Sequence, residues 1–421
     1  MTTASRRLPS TERGTATYER LLQAGSRVFG QRGFRQASVA EICRRSRVAN
    51  GTFYQYFPDK ERLFLTLVER LTHQLQARLE AAADPRAPAL LQIQQSVRAH
   101  LELINSQKSL YRVFRETEFL HPELSQRLYG HLAQRYQQIV QEGQDQGQLH
   151  RLDPETIAFS IVGLTEFIAL RYCFWDRRLS ASVLRTVDDF LAYGLSGSRF
   201  FPKPSLSYIS FDLSAPQRSS LKGRQTRERL LEAAEHEFGH RGFYEAQIAD
   251  IARRAGVAHG TFYRYFPSKE AIFTELVHEI NAQLRAQVRA AIAGLRDRRA
   301  IEYAGFRAFL DFIRHHPRAY RIVREAEFVG PPAKTPGRWY YQRLAQGYAP
   351  ALAQAMSTGQ IRPSDPEALS YILMGIGHFI GLRWIVWAEQ DVPAHVFDAM
   401  MDFILGGLTQ KKHLTKSSLS C

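Results

Sequence analysis

Apolar positions recur along this chain at helical rather than alternating spacing. Leu21, Leu22, Val28 and Phe29 fall at the intervals of an amphipathic helix, and no segment alternates with period two over a strand's length. The pattern predicts an all-α fold. Ser38 followed by Glu41 has the form of a capping box at a helix start. Asp153-Pro154-Glu155 and Asp365-Pro366-Glu367 place an N-cap before a proline at the first helical position. Two stretches, residues 156–176 and 368–388, are apolar enough to suggest membrane spans. Glu166 and Arg171 interrupt the first, His378 and Arg383 the second. They read better as buried helices at a subunit-like interface, with no membrane partner.

The pattern also repeats. Residues 29–64 match residues 238–273 at an offset of 209, with 22 of 36 positions identical. The same offset lays YRVFRETEFL (111–120) on YRIVREAEFV (320–329). After a three-residue insertion, GQLHRLDPE (147–155) meets GQIRPSDPE (359–367). A period this long is no solenoid unit, so a whole protein of two parts has been duplicated. Residues 200–222 are rich in proline and serine and read as a linker between the copies. The expected organisation is a basic arm (1–14), a first head (15–75), a first body (76–199), the linker, a second head (223–284), a second body (285–410) and a basic tail (411–421).

Composition narrows the function. With 421 residues and 44% hydrophobic content the chain is globular, and 56 Lys+Arg against 41 Asp+Glu give a net charge of +15. That excess points to a polyanion such as nucleic acid. The excess is uneven: residues 1–75 carry 13 basic and 6 acidic side chains, residues 216–284 carry 10 and 9. Cys43, Cys173 and Cys421 are too few and too scattered for a disulfide framework or a zinc site, which suits a cytoplasmic protein. No metal or cofactor is expected.

The specific chemistry sits in two short helices joined by a tight turn, residues 38–57 and again 247–266. Ile251, Val257, Phe262 and Phe266, with Ile42, Val48, Phe53 and Phe57 in the first copy, form a small core that sets the helices at an angle. Gly256 suits the left-handed residue of the turn, whereas the first copy has Arg47 there. Small and polar residues remain outside, the geometry of a helix-turn-helix whose second helix enters the major groove.

FGxRGF followed by AxIARRAGVAxGTFYxYFPSKEAIF resembles the TetR/AcrR family of bacterial transcription regulators. The resemblance implies, in each copy, a three-helix DNA-binding head and a helical ligand-binding and dimerisation body. It implies phosphate contacts from Thr52, Tyr54, Lys60, Thr261, Tyr263 and Lys269. Ser38 holds a position where the family often binds phosphate, and its counterpart Gln247 departs from that pattern. Base reading falls to Ala49, Asn50, Gly51, Gln55 and Tyr56, and to Ala258, His259, Gly260, Arg264 and Tyr265. Two heads in one chain resemble a fused dimer, so one chain is expected to be a two-headed pseudo-dimer, with a homodimer of tandem chains as the alternative.

In the bodies, Arg112 and Glu116 lie four apart and predict an intrahelical ion pair. Arg115 and Arg324, and Arg171 and Arg383, are either buried charge networks or the anion-binding groups of a ligand pocket. Double-stranded DNA and an unidentified small-molecule effector are the expected partners, and ligand-responsive repression the expected activity. An architectural DNA-binding protein would explain charge and two heads, but not large aromatic bodies. An enzyme finds no support in the motifs: Gly194-Leu195-Ser196-Gly197-Ser198 misses the nucleophile elbow at its fifth position, and His315-His316 has no evident third ligand.

Overall fold

The computed structural model describes residues 11–175, 178–194, 222–330 and 334–407. Most of the expected arm, the linker up to residue 221, and the tail with Cys421 lie outside the described residues. Those described form eighteen α-helices and no β-strand. In the first repeat α1 (Glu12–Gln36), α2 (Val39–Ser46) and α3 (Asn50–Tyr56) make the head. The body comprises α4 (Lys60–Ala82), α5 (Ala89–Ser106), α6 (Lys108–Leu120), α7 (Pro122–Asp145), α8 (Pro154–Ile168) and α9 (Ala181–Tyr193). The second repeat follows the same order: α10 (Lys222–Arg241), α11 (Ile248–Arg254), α12 (His259–Phe262), α13 (Lys269–Ala291), α14 (Arg298–His315), α15 (Pro317–Glu325), α16 (Pro336–Ser357), α17 (Pro366–Ile380) and α18 (Ala394–Gly406).

The helix starts lie where the local chemistry puts them. Asp153 accepts the Thr156 N–H at 2.8 Å and Asp365 the Ala368 N–H at 2.9 Å, each ahead of its proline. Ser38 accepts the Glu41 N–H at 3.2 Å, but the Glu41 carboxylate turns to Arg32 (2.9 Å) and Arg45 (3.2 Å), so only half of the capping box forms. Each head closes on aromatic rings: Phe29 meets Phe64 edge-on at 5.6 Å, and Phe238 meets Phe273 at 5.1 Å. The expected head–body boundaries, 75/76 and 284/285, fall inside the uninterrupted helices α4 and α13. Each head is therefore joined to its body through a rod rather than a hinge.

The two apolar stretches become α8 and α17, long and apolar enough to cross a membrane but buried mostly against each other. Both continue into a wider turn with i→i+5 hydrogen bonding, Ala169–Phe174 and Gly381–Trp387. The helices cross at Gly163 and Gly375. A Cβ on either would run into the other's carbonyl oxygen, so the backbones themselves are in contact. Contacts then recur in reciprocal pairs about this point. Tyr129 meets Phe379 at 5.0 Å and Phe167 meets Tyr341 at 5.1 Å. Arg171 pairs with Glu367 at 2.7 Å and Arg383 with Glu155 at 2.8 Å. Deeper in, Arg115 pairs with Glu327 at 2.9 Å and Arg324 with Glu118 at 2.5 Å. Alongside, α9 and α18 pack through Phe190 and Phe403, 5.6 Å apart. The result is a four-helix seam with an internal pseudo-two-fold axis.

Overpacking this crossing should be costly. Gly163→Ala is expected to destabilise the chain by about 1–3 kcal/mol in urea unfolding. Gly130→Ala, in α7 where an added Cβ meets nothing within 4 Å, should gain about 0.5–1 kcal/mol instead. Equal effects of the two substitutions would contradict the backbone contact.

Candidate nucleic-acid interface

The helix-turn-helix turns are alike in both heads despite their sequences. Gly256 has φ +66, and Arg47 takes the same left-handed conformation at φ +54. The hydrogen bonds correspond: Val48 N–H to Cys43 O at 3.0 Å, Val257 N–H to Ala252 O at 3.0 Å. Arginine bears roughly 1–2 kcal/mol of backbone strain for this, yet the first recognition helix is the better formed. α3 spans seven residues, whereas α12 covers His259–Phe262 and then tightens. There Arg264 N–H reaches Thr261 O at 3.2 Å and Tyr265 N–H reaches Phe262 O at 3.0 Å.

The cores and outer faces divide as the residue types require. Ile42, Phe53 and Phe57 are buried, as are Ile251, Phe262 and Phe266, with Val48 and Val257 half-buried beside them. Ala49, Asn50, Gly51 and Gln55 are exposed, as are Ala258, His259, Gly260 and Arg264. Thr52, Tyr56, Thr261 and Tyr265 are half-buried at the edge of that face. Tyr54 and Tyr263 leave 47% and 49% of their surface in solvent, each with its ring edge-on to the phenylalanine before it. A buried polar surface would be satisfied from within; these faces are not. Gly51 and Gly260 carry a further signal. A Cβ there would meet nothing within 4 Å and φ is not positive, so the head itself has no need of glycine. Ser38 and Gln247 are exposed at the starts of α2 and α11.

Lys60 and Lys269 are directed inward. The Lys60 ammonium donates to Phe34 O (2.9 Å) and Ala37 O (3.0 Å) and sits 4.4 Å from the Phe34 ring centre. Lys269 donates to Tyr244 O (3.3 Å) and Ala246 O (3.0 Å) and lies 4.7 Å from the Phe243 ring centre. Burial lowers the pKa of both. Two of three donors are thus used to fix the loop between the first two head helices. A phosphate could claim only what is left.

The same loops carry contacts that sequence reasoning missed. Gly33 and Gly242 turn the chain at φ +74 and +81, and the next N–H points at a buried carboxylate of the body. Phe34 N–H lies 3.0 Å from both Glu116 oxygens, and Phe243 N–H donates to Glu325 at 2.9 Å. This replaces the expected Arg112–Glu116 ion pair, because an amide at a buried helix end has no other acceptor. Arg321, the counterpart of Arg112, caps α10 instead through Gly239 O (3.2 Å) and His240 O (2.8 Å). The heads also touch one another, with Arg35 on Glu245 at 3.0 Å. The sequence held a signal for the head–body link: RGF and RExEF recur together in both copies.

The four arginines considered for ligand binding, Arg115, Arg324, Arg171 and Arg383, all pair with glutamates of the opposite repeat. None of them lines the apolar cavity that opens within the second body.

Burial, only partly offset by Arg112 and the Phe34 N–H, pushes the Glu116 carboxyl from 4.5 up to about 7. A raised carboxyl stabilises the fold fully below its unfolded value, and that contribution is lost as pH rises through the folded value. Glu116→Gln should therefore flatten the fall in unfolding free energy between pH 4.5 and pH 7, measured by urea titration. Unchanged pH dependence in the variant would refute the assignment.

Comparison with known proteins agrees with this geometry. The family described as "Bacterial regulatory proteins, tetR family" matches residues 21–67 and again 230–276. The "Tetracyclin repressor-like, C-terminal domain" matches residues 86–170. The chain is 47% identical over 64 residues to the uncharacterized HTH-type transcriptional regulator YdgC of Bacillus subtilis, 15% of this chain and 33% of that one. It is 34% identical over 108 residues to the HTH-type transcriptional activator FasR of Mycolicibacterium smegmatis, 26% of this chain and 49% of that one. A longer match, 25% identical over 188 residues, covers 44% of this chain and 94% of the HTH-type transcriptional repressor KstR2 of Mycobacterium tuberculosis. The chain thus spans a third to a half of the first two curated relatives. With the DNA-binding domain matched once in each repeat and the C-terminal domain matched behind the first, the chain belongs to the tetR family of bacterial regulatory proteins, as a tandem member.

Proposed function

We propose that this chain is a sequence-specific DNA-binding transcription regulator in which one molecule presents both heads to one operator, most simply as a repressor in the bacterial cytoplasm. The observation that carries the reading is the pair of outward faces on α3 and α12. Their polar groups have no use inside the head, and Gly51 and Gly260 leave room for a close partner. Thr52, Tyr54, Thr261 and Tyr263 flank those faces and are assigned phosphate contacts. Asn50, Gln55, His259 and Arg264 are assigned base edges, with Ala49, Tyr56, Ala258 and Tyr265 beside them. Lys60 and Lys269 chiefly hold the loops that aim the helices.

A small-molecule effector acts through the body. Tyr320 and Val323 on α15 line the cavity of the second body, and Glu325 on the same helix holds the end of α10. An occupant that displaces α15 thereby tilts the second head relative to the first. The effect requires only that the ligand bind one head arrangement better than the other.

The two recognition helices differ where a homodimer's would be identical, so the operator should be asymmetric. Asparagine and glutamine pair with adenine, while arginine prefers guanine, so the half-site under Arg264 should be the richer in guanine. Arg264→Ala should cost roughly 1–3 kcal/mol and relax preference only in that half. Tyr263→Phe should weaken all sequences alike. Selection of bound duplexes from a random pool tests this, and a perfectly palindromic consensus would contradict it.

A further inference from the structure

The two bodies are built on one plan, yet the pockets they hold differ in chemistry, and the second body's is the apolar one. Its cavity measures about 320 Å3, within the roughly 300–1,000 Å3 of small-molecule sites. Small residues open it. Gly305, Gly347 and Gly377 line it together with Ala351. At the corresponding positions of the first body stand Ser96, Arg135, Thr165 and Ile139. Arg135 reaches from α7 to the Leu79 carbonyl on α4 at 2.8 Å, across the place where the cavity would open. Ser96 and Thr165 are fully buried and Ile139 nearly so.

Deeper in, the first body replaces space with a polar cluster. Glu166, wholly buried, accepts a hydrogen bond from Tyr111 and lies 3.5 Å from His100. In the second body the counterparts of Glu166 and His100 are His378 and Phe309, both on the cavity wall. Tyr320 and His378 hydrogen-bond there at 2.7 Å. The first body's own pocket lies between α4 and α7 and is lined by polar groups, among them Gln76, Glu80, His131, Arg135 and Gln138. It is similar in volume, about 330 Å3, but does not reach Tyr111 or Glu166.

The opening of the second cavity is basic. Arg285 and Arg289 stand on α13 at its wall, and Arg343 of α16 and Arg289 both lie close enough to Arg285 to repel it. Neither Arg285 nor Arg289 pairs with a carboxylate among the described residues, and the Arg285 Nε is buried without a hydrogen-bond partner. The other charged pair on the wall, Arg298 and Glu302, is satisfied internally, with Tyr348 on the same carboxylate. The walls are otherwise apolar and aromatic. In the first body the positions of Arg285, Arg289 and Arg343 hold Gln76, Glu80 and His131, which give no positive cluster.

We propose that each chain binds a single effector, in the second body alone, and that this effector is an apolar molecule bearing one carboxylate, held at its charged end by Arg285 and Arg289. The proposal rests on the reading of the bodies as effector sites, and it makes the tandem chain an asymmetric sensor. An unpaired guanidinium pair at the mouth of an apolar cavity recognises an anion through charge-assisted hydrogen bonds, while the walls take the chain behind it.

Calorimetric titration of the full chain, without DNA, tests it using straight-chain carboxylates from hexanoate to tetradecanoate and the matching alcohols. The expected result is saturation at one carboxylate per chain, with the best carboxylate bound roughly tenfold or more tighter than its alcohol. Arg285→Gln combined with Arg289→Gln should abolish that preference while leaving the alcohol's affinity unchanged. Gly305→Leu, at a helix position where an added Cβ has its nearest neighbours at 3.9 Å, should fill the cavity and eliminate binding of both with the melting temperature retained. Saturation at two per chain, equal affinity for alcohol and acid, or no binding across the series would each overturn the proposal. Because DNA is absent, a chain that takes one carboxylate but never binds DNA would uphold the site and refute the regulatory reading instead.

Discussion

The close crossing of α8 and α17 at Gly163 and Gly375 is the constraint from which the rest of the structure follows. Only when neither residue has a Cβ do the two backbones come this near. That approach brings two reciprocal sets of ion pairs and one of aromatic rings into register across the seam. Buried arginines such as Arg115 would be expensive alone, because desolvating a guanidinium without a partner costs several kcal/mol. Each repeat supplies the carboxylates that neutralise the other's arginines. The seam is therefore specific as well as apolar, and either repeat alone would leave buried charges and a wide hydrophobic face uncovered.

From that seam the arrangement passes outward by rigid elements. α6, and α15 with the turn that follows it, carry the inner ion pairs, and on these two helices Glu116 and Glu325 hold the first helix of each head. α4 and α13 run unbroken from the heads into the bodies. The separation and tilt of the two recognition helices are thus set by how the bodies sit against one another. In the proposed sensor, a ligand in the second body therefore acts on head geometry through α15, while the first body holds Arg135 and a buried polar cluster at the corresponding place.

The heads were legible in the sequence because their function depends on local order. A turn residue, a short helix and a buried phenylalanine every few positions leave a continuous signature, and even Arg47 conforms to the turn that glycine would favour. The duplication was equally plain. The bodies yielded less, for identifiable reasons. The partners of Arg115, Arg171, Arg324 and Arg383 lie some two hundred residues away, so the sequence could frame the choice between ion pair and ligand but not make it. The helical spacing of Arg112 and Glu116 suggested a local pair, which lost to a backbone amide brought in by tertiary structure. The cavity was invisible for a different reason. It arises from glycines on three separate helices whose joint effect is a volume, and the sequence shows them only as scattered differences between the repeats.

The central claim is that one chain supplies both halves of the DNA-binding unit. Light scattering on a purified complex with a selected operator duplex measures it directly. The account predicts one chain, 48.2 kDa of protein, per duplex with both half-sites protected. A complex containing two chains, each protecting a single half-site, would contradict it.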